Sequence, residues 1–126
     1  MDRRRGSGYT VIELLVVLAA IALLLAVVAP RYTQHLDTAR EVVLKRDLQA
    51  LRDAIDKFYS DQARYPAALD ELVVKRYLRS VPADPITQRT DSWVLVPPPA
   101  NLAGNVFDVH SSAQGKGQDG TPYVGW

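Results

Sequence analysis

The residue types that hydrolases use for nucleophilic catalysis occur together near the carboxyl end of the chain. Asp108, His110, Ser111 and Ser112 are close neighbours in the sequence. A catalytic triad needs an acid, a base and a nucleophile whose side chains converge, whereas neighbours on one strand point alternately to its two faces. The G-x-S-x-G sequence of the nucleophile elbow is also missing from the chain. We therefore predict that the protein is not an enzyme.

Metal and thiol chemistry is limited by the composition. The chain has no cysteine and two histidines, His35 and His110, which lie far apart in the sequence. Disulfides, thiolate nucleophiles and cysteine metal sites are therefore excluded, and a transition-metal site would need the two distant histidines to meet. We expect His35 to be a solvated helix residue and His110 to lie at the surface end of a strand.

One carboxylate precedes a long apolar run. Glu13 comes directly before the segment Leu14 to Ala29, which contains no polar side chain. A charged group at the centre of a bilayer costs about 2.5–3.5 kcal/mol unless it finds a partner. A free amine at the same depth would be a suitable partner, and a cut between Gly8 and Tyr9 would create one. We therefore identify Glu13 as a functional residue.

The spacing of these residues resembles the N-terminus of type IV pilins and type II secretion pseudopilins. Gly8 precedes Tyr9, Glu13 is the fifth residue after the cut, and Pro30 is the twenty-second. The resemblance implies that a prepilin peptidase cuts after Gly8 and N-methylates Tyr9. It also implies that Glu13 pairs with the N-terminus of an adjacent subunit during filament assembly. Most members of the family have Phe at the first mature position, where this chain has Tyr9.

The N-terminal charges predict how the apolar segment crosses a membrane. Arg3-Arg4-Arg5 precedes it in a chain whose formal net charge is only +1, so the basic residues indicate a cytoplasmic N-terminus rather than a nucleic-acid site. Tyr9 to Ala29 spans roughly 31 Å as a helix, enough for a bilayer core. We predict a single-pass inner-membrane protein with a periplasmic C-terminal domain. A secretory signal peptide and an uncleaved anchor that carries a periplasmic binding domain are the alternatives.

Helical spacing continues beyond the apolar run. Apolar residues recur at steps of three and four, which is the spacing of one helix face. They are Leu44, Leu48, Leu51, Ile55 and Phe58, and Gln62 follows at the next step of four. We predict one helix from about Tyr9 to Asp61, apolar all round in its first half. Between the stripe residues lie polar ones that we expect to be solvated, among them Lys45, Asp47 and Arg52. The apolar half must be buried in lipid or against other copies of the chain, and a helical filament is the open-ended assembly that one repeated contact produces.

The remainder of the chain predicts a small α+β domain. A short second helix is expected over Ala67 to Tyr77, and strands over Ser92 to Val96 and Val106 to His110, with Val106, Asp108 and His110 on one face. Tyr123 to Trp126 is expected to pack back on the domain or to form a last short strand. We thus predict a pilin-like α+β fold with a leader at 1–8, a transmembrane and filament-core helix at 9–30, an amphipathic periplasmic helix at 31–62 and a globular domain at 63–126.

The C-terminal domain resembles the major, G-type pseudopilin of type II secretion. The resemblance rests on Tyr65-Pro66 and on the segment Val81-Pro82-Ala83-Asp84-Pro85. It implies a periplasmic filament that drives protein export, with self-association, minor pseudopilins, the prepilin peptidase, the inner-membrane assembly machinery and membrane lipid as partners. The family also binds calcium in its C-terminal loop, which here suggests the ligands Asp119, Gln114 and Ser112. A type IV pilus subunit is the alternative, although such pilins usually have cysteines bounding this loop.

Overall fold

The computed structural model describes the backbone from Arg3 to Trp126 and the side chains from Thr10 onward. In chain order it has helix α1 (Arg3–Gln62), helix α2 (Leu69–Val74), strand β1 (Val94–Val96), strand β2 (Asp108–His110) and a 3₁₀ turn (Tyr123–Gly125). A long first helix, a short second helix and a small antiparallel sheet make up the predicted pilin-like α+β fold, which is confirmed. The chain divides into two compact units, and the boundary in the sequence falls between Asp37 and Thr38.

Helix α1 is longer at its start than the predicted helix, because it begins at Arg3 rather than near Tyr9. It continues through Pro30, a residue that has no N–H to donate to the helix. The hydroxyl of Thr33 donates a hydrogen bond of 2.9 Å to the carbonyl of Pro30. The helix ends where Ala63 adopts a φ of 56°, the left-handed conformation that commonly terminates helices.

Helix α2 is shorter than predicted, covering Leu69–Val74 instead of Ala67 to Tyr77. Arg76 has a φ of 66°, which turns the chain out of the helical path. The amides of Tyr77 and Leu78 then both donate to the carbonyl of Leu72, at 2.8 and 3.1 Å, and so close the helix end. Leu69 and Leu72 are buried, as the spacing of the apolar residues predicts.

The two strands pair antiparallel, and Leu95 lies opposite Val109 in the register. Both strands are shorter than predicted. The prediction that Val106 shares a face with Asp108 and His110 is wrong, because Val106 and Val109 are the fully buried residues, while Asp108 and His110 are half-buried. Strand alternation applies only from Asp108 onward, where the pairing begins, so the predicted register of the preceding residues fails.

The hydrophobic core of the unit that begins at Thr38 forms around the predicted stripe of α1. Helix α2 and the sheet supply the residues that cover this stripe. Nine of the described core residues are exposed by 3% or less, and they come from α1, from α2 and from β2 and the segment before it. They are Leu44, Leu48, Leu51, Ala54, Ile55, Phe58, Leu72, Val106 and Val109. The ring of Tyr77 meets that of Phe58 edge to face, with centroids 5.4 Å apart. The amphipathic pattern in the second half of α1 is therefore the surface on which the small domain folds.

Candidate functional sites

Glu13 lies in an apolar surface that nothing covers within its own unit. Its neighbours Ile12 and Leu14 are 65% and 59% exposed, and every described side chain from Thr10 to Asp37 is exposed. The helix is apolar enough to cross a membrane, with a mean hydropathy of 3.1 in its most apolar window. Apolar surface of this extent is stable in lipid or against other helices, but not in water. A carboxylate in such a surface therefore needs a cationic partner.

The two residues of the predicted cleavage site, Gly8 and Tyr9, lie five and four positions before Glu13 along the same helix. The backbone of Gly8 and Tyr9 is helical, and the described side chains begin after them. Met1 and Asp2, the first residues of the predicted leader, lie outside the described residues. The positions of Gly8, Tyr9 and Glu13 in one apolar helix are compatible with their predicted roles, which stay predictions.

Of the residues that resemble a hydrolase triad, Asp108 and His110 lie near each other, with Oδ2 and Nε2 3.8 Å apart, but Ser111 is engaged elsewhere. Ser111 is fully buried, and its hydroxyl donates to Oδ2 of Asp84 at 2.5 Å. Nδ1 of His110 lies 2.5 Å from the main-chain oxygen of Trp126. Asp108 accepts a hydrogen bond of 2.8 Å from Nε of Arg52. These contacts connect β2 to its surroundings, and they leave Ser111 without the histidine that would activate it.

Arg52 is the residue that the sequence interpretation placed wrongly, because it is not simply solvated. Besides Asp108, its guanidinium donates to the main-chain oxygens of Val109 and Trp126, at 2.9 and 2.7 Å. One side chain of α1 thus holds both β2 and the last residues of the chain.

Asp47, also expected to be solvated, is half-buried, and burial followed by the negative charge of Asp84 raises its pKa.

The loop that was predicted to bind calcium is organised around Asp119. Oδ1 of Asp119 accepts hydrogen bonds from the amide and the hydroxyl of Thr121, at 3.0 and 2.6 Å. These bonds, with a smaller contribution from the charge of Lys45, lower the pKa of the Asp119 carboxyl. Of the other predicted ligands, Gln114 is exposed and Ser112 is half-buried.

The donor set of this loop fits calcium poorly. Calcium prefers about six to eight oxygen ligands, several of them anionic. Asp119 is the loop's single acidic side chain, and one of its oxygens already accepts two hydrogen bonds. Within the part of the chain that the structure describes, no three His, Cys, Asp or Glu side chains are grouped so that they could hold a metal ion. Calcium binding through Asp119, Gln114 and Ser112 stays a prediction.

Comparison with known proteins gives one match to the N-terminal segment and others to most of the chain. The prokaryotic N-terminal methylation motif matches residues 3–29. A type II secretion system core protein G from Pseudomonas aeruginosa is 34% identical over 101 residues, which are 68% of this chain and 71% of that protein. The protein of the same name from Klebsiella michiganensis is 30% identical over 97% of this chain and 90% of its own length.

The chain belongs to the type II secretion system core protein G family. The predicted resemblance to G-type pseudopilins is thereby confirmed, and with it the function of a pseudopilin in type II secretion. A type IV major pilin protein, PilA of Myxococcus xanthus, is 32% identical over 54% of this chain, but only 31% of that pilin is covered. No solved structure gives a significant match.

Proposed function

We propose that this pseudopilin is cut between Gly8 and Tyr9 by a prepilin peptidase, N-methylated on Tyr9, and assembled through Glu13 into a periplasmic filament that drives protein export. The observation that carries the proposal is the exposed Glu13 in an apolar helix surface. The match of residues 3–29 to a methylation motif supports the same site.

The pairing of Glu13 with a new N-terminus has a direct electrostatic basis. Cutting after Gly8 creates a cationic amine four residues from Glu13 along the helix. An unpaired carboxylate in the membrane costs a few kcal/mol, and an amine from an adjacent subunit removes most of that cost. A subunit that enters the filament out of register would leave Glu13 unpaired. Glu13 therefore both attracts the next subunit and selects its position.

The proposed arrangement in the membrane follows the sequence segments. Residues 1–8 form the leader, 9–30 the transmembrane and filament-core helix, 31–62 a periplasmic amphipathic helix, and 63–126 the globular domain. The three arginines of the leader would keep the N-terminus in the cytoplasm. The chain would thus cross the inner membrane once, with its C-terminal domain in the periplasm.

The proposed partners follow from this placement. Copies of the same chain cover the apolar surface of α1 in the filament, and lipid covers it before assembly. Minor pseudopilins and the inner-membrane assembly machinery would contact the same subunit, and the prepilin peptidase would act on Gly8 and Tyr9 before assembly.

The processing step is tested by the intact mass and N-terminal sequence of the protein from its native membrane. A chain that begins at Tyr9 and carries one extra methyl group is the expected result. A chain that retains Met1 or Asp2 would indicate a simple anchor, and one that begins near Pro30 would indicate a signal peptide. Either result would refute the proposed processing.

The assembly step is tested by comparing Glu13→Gln with Asp37→Asn. Both changes remove one negative charge and keep the side-chain shape, and both residues are exposed in the same unit. In filaments cross-linked in cells, Glu13→Gln should lose the ladder of oligomers, while Asp37→Asn should retain it. Membrane insertion, measured by fractionation, should be unchanged in both variants. Normal oligomer ladders from Glu13→Gln would exclude the proposed role of the carboxylate.

A further inference from the structure

Among the side chains of α1 that the structure describes, four polar ones contact the C-terminal loop, residues 111–126. They are Thr38, Glu41, Lys45 and Arg52, and their spacings of three, four and seven place them along one stripe of the helix. All four belong to the compact unit that begins at Thr38. We name them the loop-binding stripe. It runs beside the apolar stripe that forms the core.

Glu41 and Thr38 bind the tip of the loop. Oε1 of Glu41 accepts hydrogen bonds of 2.9 Å from the amide of Gln118 and from the hydroxyl of Tyr123. The side-chain amide of Gln118 donates to the hydroxyl of Thr38 at 2.7 Å. The tip is therefore held by side chains of the helix rather than by its own backbone alone.

Lys45 binds the loop through Trp126. Its ammonium lies 4.7 Å from the centroid of the indole ring, within the range of a cation–π contact. The indole N–H donates to the hydroxyl of Thr121 at 2.8 Å, and that hydroxyl donates to Asp119. A Cβ atom at Gly117 would lie 2.4 Å from the indole, so a glycine is needed there for the ring to pack against the loop.

Lys45 and Arg52 together bring two positive charges to the loop. With Asp119, Thr121 and Trp126 they line one cleft of about 310 Å³. Arg52 reaches the main-chain oxygen of Trp126 at 2.7 Å. A calcium ion in such a loop would gather its oxygens around a positive charge. Here Lys45 and Arg52 lie beside Asp119, the loop's single acidic side chain, and the repulsion between these cations and a divalent cation opposes its binding. The nearby carboxylates are already engaged, because Oε1 of Glu41 accepts two hydrogen bonds from the loop and Asp108 pairs with Arg52.

We propose that Lys45 and Arg52 hold the C-terminal loop on α1 in place of a metal ion, so that the loop folds without calcium. The two cationic side chains are positioning residues: they order Trp126, which orders Thr121 and Asp119. The contacts that hold the loop do not depend on cleavage after Gly8 or on the role of Glu13.

The first test compares the full-length wild-type protein in detergent micelles with excess EGTA and with millimolar calcium. Its melting temperature should differ by less than about 1 °C between the two conditions. Amide exchange of the loop peptide, measured by mass spectrometry, should be equally slow in both. A calcium concentration about a hundred times the dissociation constant of a real site would raise the melting temperature by about 10 °C or more. Such a rise, or slower exchange in calcium, would overturn the proposal.

The second test changes the cation and keeps the helix. Lys45→Ala should speed amide exchange in the loop by roughly fivefold, in the range expected for an exposed cation–π contact, and calcium should not restore the protection. Lys45→Arg, which keeps a cation able to lie on the indole, should retain wild-type exchange. Lys57→Ala is the matched control, because Lys57 is exposed on the same helix and lies outside the loop-binding stripe.

The core peptide around Leu51 and Ile55 reports on global unfolding in every variant. Its exchange should be the same in Lys45→Ala and Lys57→Ala, so that faster exchange in the loop can be assigned to the loop. Equal loop exchange in Lys45→Ala and Lys57→Ala would refute the role of Lys45. The wild-type comparison in EGTA and calcium needs no variant and decides the question of the metal independently.

Discussion

Asp84 is a buried carboxylate whose removal should destabilise the fold by a calculable amount. It is fully buried, and its Oδ1 accepts hydrogen bonds from the backbone amides of Ile86 and Thr87, at 2.8 and 3.3 Å. Its Oδ2 accepts the hydroxyl of Ser111, a residue 27 positions away that is also fully buried. Asp84 therefore fixes the turn that follows α2 and joins it to the start of the C-terminal loop.

The change Asp84→Ala removes all three acceptor contacts. The buried Ser111 hydroxyl loses its acceptor, at a cost of about 1–3 kcal/mol, and each half-buried amide loses a bond worth about 0.5–1.5 kcal/mol. The sum is a loss of about 2–6 kcal/mol in the free energy of unfolding. Asp84→Asn keeps an oxygen that can accept hydrogen bonds from the two amides. Its NH₂ group can donate a hydrogen bond to the hydroxyl oxygen of Ser111. Its cost should be about 1 kcal/mol.

Urea unfolding of the full-length protein in micelles, followed by tryptophan fluorescence, measures both values. Trp93 is a suitable reporter because its buried indole donates to the carbonyl of Pro82, two residues before Asp84. The carboxyl resonance of Asp47 gives a second measurement. The pKa of Asp47 is raised by burial and by the charge of Asp84, so Asp84→Asn should lower the pKa of Asp47 part of the way to the usual value.

Two results would refute this reasoning. A loss of less than about 1 kcal/mol in Asp84→Ala would mean that water or other groups replace the carboxylate contacts. An equal loss in Asp84→Asn and Asp84→Ala would mean that the negative charge matters, rather than the geometry of the acceptor atoms.

Two further predictions concern the connection after α1. The pKa of Glu71 is lowered, first by the side-chain hydrogen bond from Arg64 and then by the amide of Ala67, so its stabilising contribution is present above the unfolded pKa of about 4.3 and is lost as the pH falls through the folded pKa. Urea midpoints measured across this range should fall more steeply in the wild type than in Glu71→Gln, and parallel curves would contradict the prediction. Gly104→Ala should cost at least about 2 kcal/mol, because Gly104 has a φ of 109° and a Cβ there would lie 2.2 Å from the carbonyl oxygen of Tyr65. Thermal unfolding measures this loss, with Gly120→Ala as the control, since that glycine also has a positive φ but open space around its Cα; equal losses would mean that backbone strain alone is responsible.

The sequence alone was sufficient wherever the information is local. The stripe from Leu44 to Phe58 predicts the buried face of α1, because helical spacing fixes which residues share a face. The spacing of Gly8, Tyr9 and Glu13 likewise predicts the family, since those residues lie in one continuous segment. The ends of α2 and of the strands were predicted less well, because positive-φ residues such as Arg76 end an element through tertiary packing rather than through composition.

Only the tertiary structure decided how the C-terminal loop is held. Glu41 and Gln118 are 77 positions apart, and no local pattern relates a helix carboxylate to a loop amide at that separation. Polar residues beside an apolar stripe look solvated in sequence, because periodicity reports which face is apolar but not what covers its flanks. Lys45 and Arg52 bind the loop because the tertiary fold places Trp126 beside α1. Their contacts with Trp126 join residues far apart in the sequence, so they form only when the fold closes the long segment between them.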